Sequence, residues 1–239
     1  SYPDWLYELF VEQFGTERGH DLMAAMNEPA VVMERDDGYR QDVSSQMVAA
    51  LVSGDRVGDV CAAPGGKSTA IAGTSAMVMA SDRKLSRARL VRGNTSELGI
   101  ENLTTVVADG RALPYRQGSF DTVLVDAPCT GLGALRRRAD ARWRVGPGDA
   151  DRLADLQVGL VLAASEVVAD GGEIIYSVCT ITDTESLGVE RRLAELAPHL
   201  EPIVDYPPDW ETHGSGARIL PSGDSDGMTV LRLRKTSST

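Results

Sequence analysis

Short apolar runs alternate with longer amphipathic segments over most of the chain from about residue 42 onward. Apolar runs bounded by turn residues predict buried strands, and apolar residues at three- and four-residue spacing predict helices. The predicted strands are residues 57–61, 76–80, 103–107, 120–125, 173–178 and 229–234. The predicted helices are residues 43–51, 85–98, 149–169 and 184–196. Because strands alternate with helices, we predict an α/β fold with a mostly parallel, doubly wound sheet and right-handed crossovers.

The chain before this alternation has a different pattern. Aromatic and aliphatic residues between Trp5 and Phe14 recur at helical spacing, Gly15 is expected to stop that helix, and Thr16 to cap a second one. We therefore divide the chain into an N-terminal helical segment (1–37), an α/β domain (38–235) and a short tail (236–239). The tail is rich in Ser and Thr, and we expect it to be frayed.

Composition narrows the class of protein. A chain of 239 residues with 42% hydrophobic residues is long and apolar enough for one sizeable core. Three cysteines do not indicate a disulfide framework. We see no signal peptide and no apolar run of membrane-spanning length, so we expect a cytoplasmic protein without a membrane partner. The net charge of −11 argues against a protein that coats nucleic acid non-specifically, although it allows a local basic patch.

A turn of small residues follows the first predicted strand, within residues 57–68. A phosphate-cradling loop would need a glycine at the position of Cys61, and a Gly-x-Gly-x-x-Gly dinucleotide fingerprint is also absent. What remains suits a ligand with a ribose and a compact zwitterionic tail, or else a tight turn with no ligand at all. The candidate ligand residues of this turn are Cys61, Ala62, Ala63, Pro64, Gly65, Gly66 and Lys67.

Four predicted strands end at or near an aspartate: Asp59, Asp82, Asp109 and Asp126. Ligands of open α/β sheets bind outside the carboxyl ends of the strands. Asp82 follows Asp59 by 23 residues, close to the spacing at which a carboxylate accepts hydrogen bonds from ribose hydroxyls. Asp109 is a candidate acceptor for an exocyclic adenine amine. A single such aspartate is more often a turn cap, but a set on consecutive strands indicates a site.

Two cysteines also follow strand ends. Cys129 comes shortly after Asp126, and Cys179 comes directly after the fifth strand. If those strands are neighbours, two thiols and a carboxylate meet in one cleft; the alternative is that both are small buried apolar residues, as we interpret Cys61. We do not expect a metal, because the third thiol belongs to a different turn and no histidine is near.

A basic stretch follows Cys129 in an otherwise acidic chain. It contains Arg136, Arg137, Arg138, Arg142 and Arg144, with Trp143 among them. The stretch is either a solvated helical face or, because it adjoins the candidate site, a set of phosphate contacts with Trp143 as a packing or stacking residue.

Four motifs in this order carry a resemblance. They are Asp-Val-Cys-Ala-Ala-Pro-Gly-Gly-Lys at 59–67, Asp-Ala-Pro-Cys-Thr-Gly-Leu-Gly at 126–133, Arg-Arg-Arg-Ala-Asp-Ala-Arg-Trp at 136–143 and Tyr-Ser-Val-Cys-Thr at 176–180. With them the chain resembles the Fmu/Sun family of S-adenosylmethionine-dependent RNA 5-methylcytosine methyltransferases. The resemblance implies a Rossmann-like class I methyltransferase fold, S-adenosylmethionine as cofactor, and RNA as substrate, ribosomal RNA first and transfer RNA second. A monomer is the default for this architecture.

The resemblance also implies roles for single residues. Cys179 would be the nucleophile, Asp126 would hold the cytosine edge, Cys129 would take part in resolving the adduct, and Lys67 would add positive charge near the base or the donor. The implied donor site consists of Cys61, Ala62, Ala63, Pro64, Gly65, Gly66, Lys67, Asp82, Arg87, Asp109, Gly110 and Asp126.

This sequence departs from the family pattern at four places. Several tens of residues that the family carries between Met33 and Gly38 are absent, so we expect a missing or deleted stretch there. Val178 stands where Thr is common, Ser186 where Asn is common, and the stretch 226–229 replaces a motif that usually carries two phenylalanines. Two alternatives therefore stay open: a methyltransferase for a small molecule or protein, and an inactive RNA-binding factor.

Overall fold

The computed structural model describes residues 1–237. All strands in this part of the chain belong to one sheet. Its strands are β1 (Arg56–Asp59), β2 (Met77–Asp82), β3 (Leu103–Val107), β4 (Phe120–Asp126), β5 (Val168–Val178), β6 (Leu200–Pro202), β7 (Glu211–His213), β8 (Gly216–Ile219) and β9 (Met228–Lys235). The order across the sheet is β3-β2-β1-β4-β5-β9-β8-β7, and β6 pairs with β9. Strands β1 to β5 run parallel, whereas β9 is antiparallel to β5. The prediction of a mostly parallel α/β sheet is confirmed.

Helices cover both faces of this sheet. They are α1 (Asp4–Phe14), α2 (Thr16–Ala25), α3 (Val43–Leu51), α4 (Gly66–Ala72), α5 (Leu85–Glu97), α6 (Ala141–Arg144), α7 (Asp149–Val167) and α8 (Leu187–Leu196), with a 3₁₀ turn at Asp183–Glu185. Helices α7 and α8 share one apolar cluster with the sheet, and α3, α4 and α5 share the other. The sheet is therefore doubly wound, with its order reversing between β1 and β4. Within the described residues, no helix is both long enough and apolar enough to cross a membrane.

The N-terminal helices brace the loops that follow β4 and β5. Buried side chains of α1 and α2 form a third apolar cluster with Leu132, Leu135 and Ile181. The Gln13 amide donates to the Ile181 carbonyl at 2.6 Å and accepts from the Asp183 backbone N–H at 3.0 Å. The helical segment is thus packed against the loops that carry both candidate active-site cysteines.

The structure corrects several element boundaries. Helix α7 ends at Val167 and β5 begins at the next residue, so the predicted helical end at 168–169 is strand. Gly15 occupies the N-cap of α2, and Thr16 is its first helical residue. Strands β6 to β8, of three or four residues each, were not predicted, because such short runs carry no readable alternation.

The structure also describes both ends of the predicted domain. Thr236 donates to the His199 carbonyl through its backbone N–H at 2.8 Å and its hydroxyl at 3.0 Å, so the prediction of a frayed tail is wrong there. Residues 238–239 of that tail lie outside the described residues. At the other boundary, the stretch 34–40 forms a tight turn in which the Arg35 guanidinium donates to the Gly66 carbonyl at 2.7 Å.

Two glycines set the position of the loop after Cys129. A Cβ atom on Gly133 would lie 2.4 Å from the Gly227 carbonyl oxygen, far inside contact distance. The Gly227 N–H donates to the Gly133 carbonyl at 2.8 Å, and the Gly133 N–H donates to the Cys179 carbonyl at 3.1 Å. Three separate segments thus meet where only backbone fits.

This contact generates a stability prediction. Gly133→Ala is expected to lower the free energy of unfolding by about 2 kcal/mol or more, because neither backbone can yield without moving the Cys179 loop. Gly93→Ala is the matched control: Gly93 lies on the exposed side of α5, where an added Cβ would have no atom within 4 Å, so alanine should raise stability by about 0.5–1 kcal/mol. Urea unfolding of the two variants measures both effects, and equal changes would contradict the packing argument.

Candidate active site

A cleft of about 620 Å³ opens at the carboxyl ends of β1, β2 and β4, where the strand order reverses. This is the place at which open α/β sheets bind ligands. All four candidate catalytic residues line it: Lys67, Asp126, Cys129 and Cys179. Of the candidate donor-site residues, only Gly65 is not among those lining the cleft; its neighbour Gly66 is.

The register of two parallel strands brings the cysteines together. Asp126, the last residue of β4, lies opposite Ser177 of β5. Cys129 follows Asp126 by three residues and Cys179 follows Ser177 by two, and the two Sγ atoms are 3.3 Å apart.

The two thiols have opposite ionisation tendencies. A hydrogen bond from the Cys129 thiol lowers the pKa of Cys179, and the positive charges of Lys67 and Arg138 act in the same direction. That hydrogen bond, together with burial, raises the pKa of Cys129 well above its ordinary value. These directions make Cys179 the more readily ionised thiol of the pair, and the thiolate is the nucleophilic form of cysteine.

A buried ion pair stands beside the thiols. Lys67 Nζ lies 2.8 Å from Asp126 Oδ2 and donates to Ser45 Oγ at 2.8 Å. Burial works to lower the pKa of Lys67, but the Asp126 carboxylate outweighs it and the net shift of that pKa is upward. The alternative interpretation of Lys67 as a solvated helix residue is wrong, since its side chain is 8% exposed.

Two serines that the sequence analysis did not single out complete this pair. The Ser177 hydroxyl donates to Asp126 Oδ1 at 2.9 Å, and the Ser45 hydroxyl oxygen accepts a hydrogen bond from the Lys67 ammonium group. Ser177 lies within the Tyr-Ser-Val-Cys motif, so its position was a usable signal. Ser45 lies on α3 and carried none, because its proximity to Lys67 arises only from tertiary packing.

A polar network beneath the Cys129 loop was also missed. The buried Glu185 carboxylate accepts from the Thr130 backbone N–H at 2.9 Å and from the Gln157 amide at 3.0 Å. The single proton of the Tyr176 hydroxyl faces two acceptors, the Gln157 side-chain oxygen at 2.9 Å and the Glu185 carbonyl oxygen at 2.7 Å. Burial raises the pKa of Glu185. These buried polar groups hydrogen-bond to one another, and the bond to the Thr130 N–H fixes the loop after Cys129.

The turn after β1 forms the opposite wall of the cleft. Cys61 lies in this turn, two residues past the end of β1, rather than inside the strand; burial raises the pKa of its thiol, which keeps it protonated. Gly65 has φ +111° in the left-handed region, and a Cβ there would lie 3.2 Å from Val91 Cα. Only glycine adopts this conformation without strain, and helix α5 packs directly against the turn there; Gly66, the next residue, lines the cleft without a side chain.

Two carboxylates stand farther along that wall. Asp82 is buried and accepts from the Lys84 backbone N–H and from Arg87 Nε, both at 3.0 Å. Arg87 also donates to the Ala63 carbonyl at 2.6 Å, so it connects the carboxylate to the glycine turn.

Asp109 closes the same wall. Hydrogen bonds from Arg111 lower the pKa of Asp109 to about 2, so this carboxylate stays ionised. Next to it, a Cβ on Gly110 would lie 2.6 Å from Val60 Cγ1 and from Leu160 Cδ2, so the backbone there packs directly on the core.

The five arginines of the basic stretch separate into two groups. The Arg136 side chain is 1% exposed and bonds Asp226, and the buried Arg142 donates to Asn27 Oδ1 at 2.8 Å. The prediction of phosphate contacts is therefore wrong for these two, because protein groups already enclose their guanidinium groups. Arg137 stands between the groups, since its side chain is 31% exposed and bridges Asp42 and Asp226. Arg138, Arg144 and Trp143 are exposed, and Arg138 lines the cleft.

Comparisons with known proteins bear on this site. The family model of the 16S rRNA methyltransferase RsmB/F matches residues 46–234. Ribosomal RNA small subunit methyltransferase B of Thermus thermophilus is 33% identical over 275 positions, which cover 100% of this chain and 66% of that protein. Ribosomal RNA small subunit methyltransferase F of Erwinia tasmaniensis is 34% identical over 218 residues, covering 84% of this chain and 45% of that protein.

A solved structure agrees with these relatives. NSun6 from Pyrococcus horikoshii, determined with the S-adenosylmethionine analogue SFG, has a TM-score of 0.72 and 25% identity, covering 84% of this chain and 53% of that one. The chain spans between 34% and 66% of the length of the curated relatives that it matches. Since the family model matches well over half of the chain, the chain belongs to the RsmB/F family of 16S rRNA methyltransferases.

Proposed function

We propose that this protein is an S-adenosylmethionine-dependent RNA methyltransferase that forms 5-methylcytosine through a covalent adduct of Cys179 with carbon 6 of cytosine. One observation carries the proposal. The Cys179 and Cys129 sulfurs lie 3.3 Å apart, in the same cleft as the Lys67–Asp126 pair and the glycine turn. Two thiols beside a carboxylate suit a reaction that first forms and then breaks a sulfur–carbon bond.

The residues of the cleft fit the proposed methyl donor. Bare backbone at Gly66 allows close approach, and the Asp82 and Asp109 side chains offer acceptors for ribose hydroxyls and an adenine amine. Bound there, S-adenosylmethionine would supply an electrophilic methyl group. The residues proposed to hold it are those of the turn 61–67 together with Asp82, Arg87, Asp109, Gly110 and Asp126.

The chemistry follows from the reactivity of cytosine. Carbon 5 is a poor nucleophile, and addition of the Cys179 thiolate to carbon 6 turns the ring into an enamine that is nucleophilic at carbon 5. Asp126, held by Lys67 and Ser177, is assigned to the N3 and N4 edge of the base. After methyl transfer the carbon 5 proton passes to water, the bond between the Cys179 sulfur and carbon 6 breaks, and its electron pair leaves with the sulfur as the thiolate. Cys129 is assigned to that elimination.

Ribosomal RNA is the proposed substrate and transfer RNA the alternative. The family description and the printed names of the relatives favour ribosomal RNA. The target base must leave any stack to reach the thiol, at a cost of a few kcal/mol that is smallest in single-stranded or loop RNA. Arg138, Arg144 and Trp143 are proposed to contact that RNA beside the cleft.

The covalent step has a direct test. With S-adenosylmethionine and total RNA, Cys129→Ala is expected to accumulate a covalent RNA–protein adduct on a denaturing gel, because release is blocked after attack. Cys179→Ala should give neither adduct nor 5-methylcytosine, and the double variant should behave like Cys179→Ala. Sequencing the trapped RNA separates ribosomal from transfer RNA. Full methylation by Cys179→Ala would instead favour an enzyme that shares only the donor site.

The ionisation of the two thiols has its own test. Removing the Cys129 hydrogen bond in Cys129→Ala should raise the pKa of Cys179, so the midpoint of its alkylation by iodoacetamide moves up by about one pH unit. Lys67→Met should move it in the same direction, since a positive charge is lost. Mass spectrometry of the Cys179 peptide across pH gives the midpoint. An unchanged or lower midpoint in both variants would refute the assignment.

The two groups of arginines predict different losses. Arg138→Ala should weaken RNA binding and lower its salt slope by about one while stability changes by less than about 0.5 kcal/mol. Arg136→Ala should lower the free energy of unfolding by about 3 kcal/mol, because the buried Asp226 loses a partner. Binding titrations at several salt concentrations and urea unfolding measure the two effects. A salt-independent affinity of the unaltered protein would contradict the phosphate contacts.

A further inference from the structure

The positive charges of this protein are distributed unevenly between paired and unpaired positions. Most lysines and arginines of the described residues lie within 4.0 Å of a carboxylate, as expected in a chain of net charge −11. The densest group of those that do not lies in the stretch 83–92. It carries Arg83, Lys84, Arg87, Arg89 and Arg92, and of these only Arg87 forms an ion pair within the described part of the chain.

Two of these arginines lie on the solvent-exposed side of helix α5. Arg89 and Arg92 are three residues apart and therefore neighbours on the helix surface, and both are exposed. Leu85 and Ser96, four residues before Arg89 and four after Arg92, are exposed on the same side. No acidic residue occurs between Arg83 and Ser96. A solvated helix of this length usually intersperses both signs of charge, whereas this one carries only positive charge up to its last residue, Glu97.

The α5 face is continuous with the cleft. Arg83 and Lys84, which precede the first helical residue, line the cleft beside Asp82. Arg87 is fixed by Asp82 and Ala63 at the rim. The positive strip, defined as Arg83, Lys84, Arg89 and Arg92, thus begins at the donor side of the cleft and continues along α5.

We propose that this positive strip binds the phosphate backbone of the substrate RNA at a distance from the target base. The inference rests on the proposed function. A strip of unpaired cations on an acidic protein is complementary to a polyanion, and arginine binds phosphate bidentately. Such contacts fix the register and orientation of the RNA and carry no sequence information. The strip would therefore add affinity and alignment, while the base is read in the cleft.

The test compares two charge reversals of equal size in the full chain. Arg89→Glu/Arg92→Glu alters the strip, and Arg89→Gln/Arg92→Gln is the milder version. Arg116→Glu/Arg191→Glu is the matched control. Both arginines are also exposed and form no ion pair with a described residue, and Arg116 lies just before the amino end of β4, away from the cleft. The probe is an unmodified small-subunit rRNA transcript, with binding measured over a range of salt concentrations.

The strip variant is expected to bind the transcript about tenfold more weakly near physiological salt, with a salt slope lower by about two. The glutamine pair should lose about half as much, and the control pair less than either. Binding of S-adenosylmethionine by calorimetry and the urea midpoint should stay unchanged in the strip variants.

Equal losses in the strip and control pairs would reduce the effect to net charge and overturn the proposal. An unchanged affinity in the strip variants would also overturn it, while the methylation of the transcript by the unaltered protein would leave the proposed function standing. The proposal would also be overturned if the strip variants bound the naked transcript normally but failed to bind assembled small subunits. That result would indicate that the positive strip contacts an acidic protein instead. If the unaltered protein neither binds nor methylates the transcript, the proposed function and this inference fall together.

Discussion

The parallel register of β4 against β5 is the constraint on which the active site depends. It sets Asp126 opposite Ser177, and the side chains of these two residues hydrogen-bond across the pair. The loops that leave the two strands then start level with each other, which brings Cys129 and Cys179 into contact. A shift by one residue would turn both strand-end side chains to the other face of the sheet. The register of these two strands therefore sets the positions from which both cysteine loops start.

Two buried charged groups beside the cysteines have partners. Lys67 is paired with Asp126, and the Glu185 carboxylate accepts from Thr130 and Gln157. Breaking a buried pair leaves an uncompensated charge, which costs more than the intact pair contributes. Such networks stabilise a single arrangement of the loops more than they raise overall stability. The ionisation of the cysteine pair depends on this arrangement, because nearby charges shift the pKa of Cys179.

Sequence patterns predicted the parallel part of the sheet well, because β1 to β4 are apolar runs that end at or near an aspartate, and β3 matches its predicted bounds. They failed where tertiary contact decides. Gly171 and Gly172 mimic a helix stop but lie inside β5, where a Cβ on Gly172 would approach the Asp121 carbonyl to 2.7 Å. The arginine stretch 136–144 gave a correct charge density but no information on burial. Ser45 and Gln157 were not found, since nothing in their own neighbourhoods distinguishes them from ordinary helix residues.

Two positions at which this chain departs from the family pattern, Ser186 and Asp226, have hydrogen-bond partners within the structure. The Ser186 hydroxyl donates to the Thr182 carbonyl at 2.8 Å and lies 2.9 Å from His213 Nε2. Because the hydroxyl proton is used toward Thr182, Nε2 is the donor in the second contact. Asp226 accepts from both Arg136 and Arg137, and its backbone N–H faces the Asp42 carboxylate. Both exchanged side chains thus have hydrogen-bond partners, so neither departure leaves its own buried polar group unpaired.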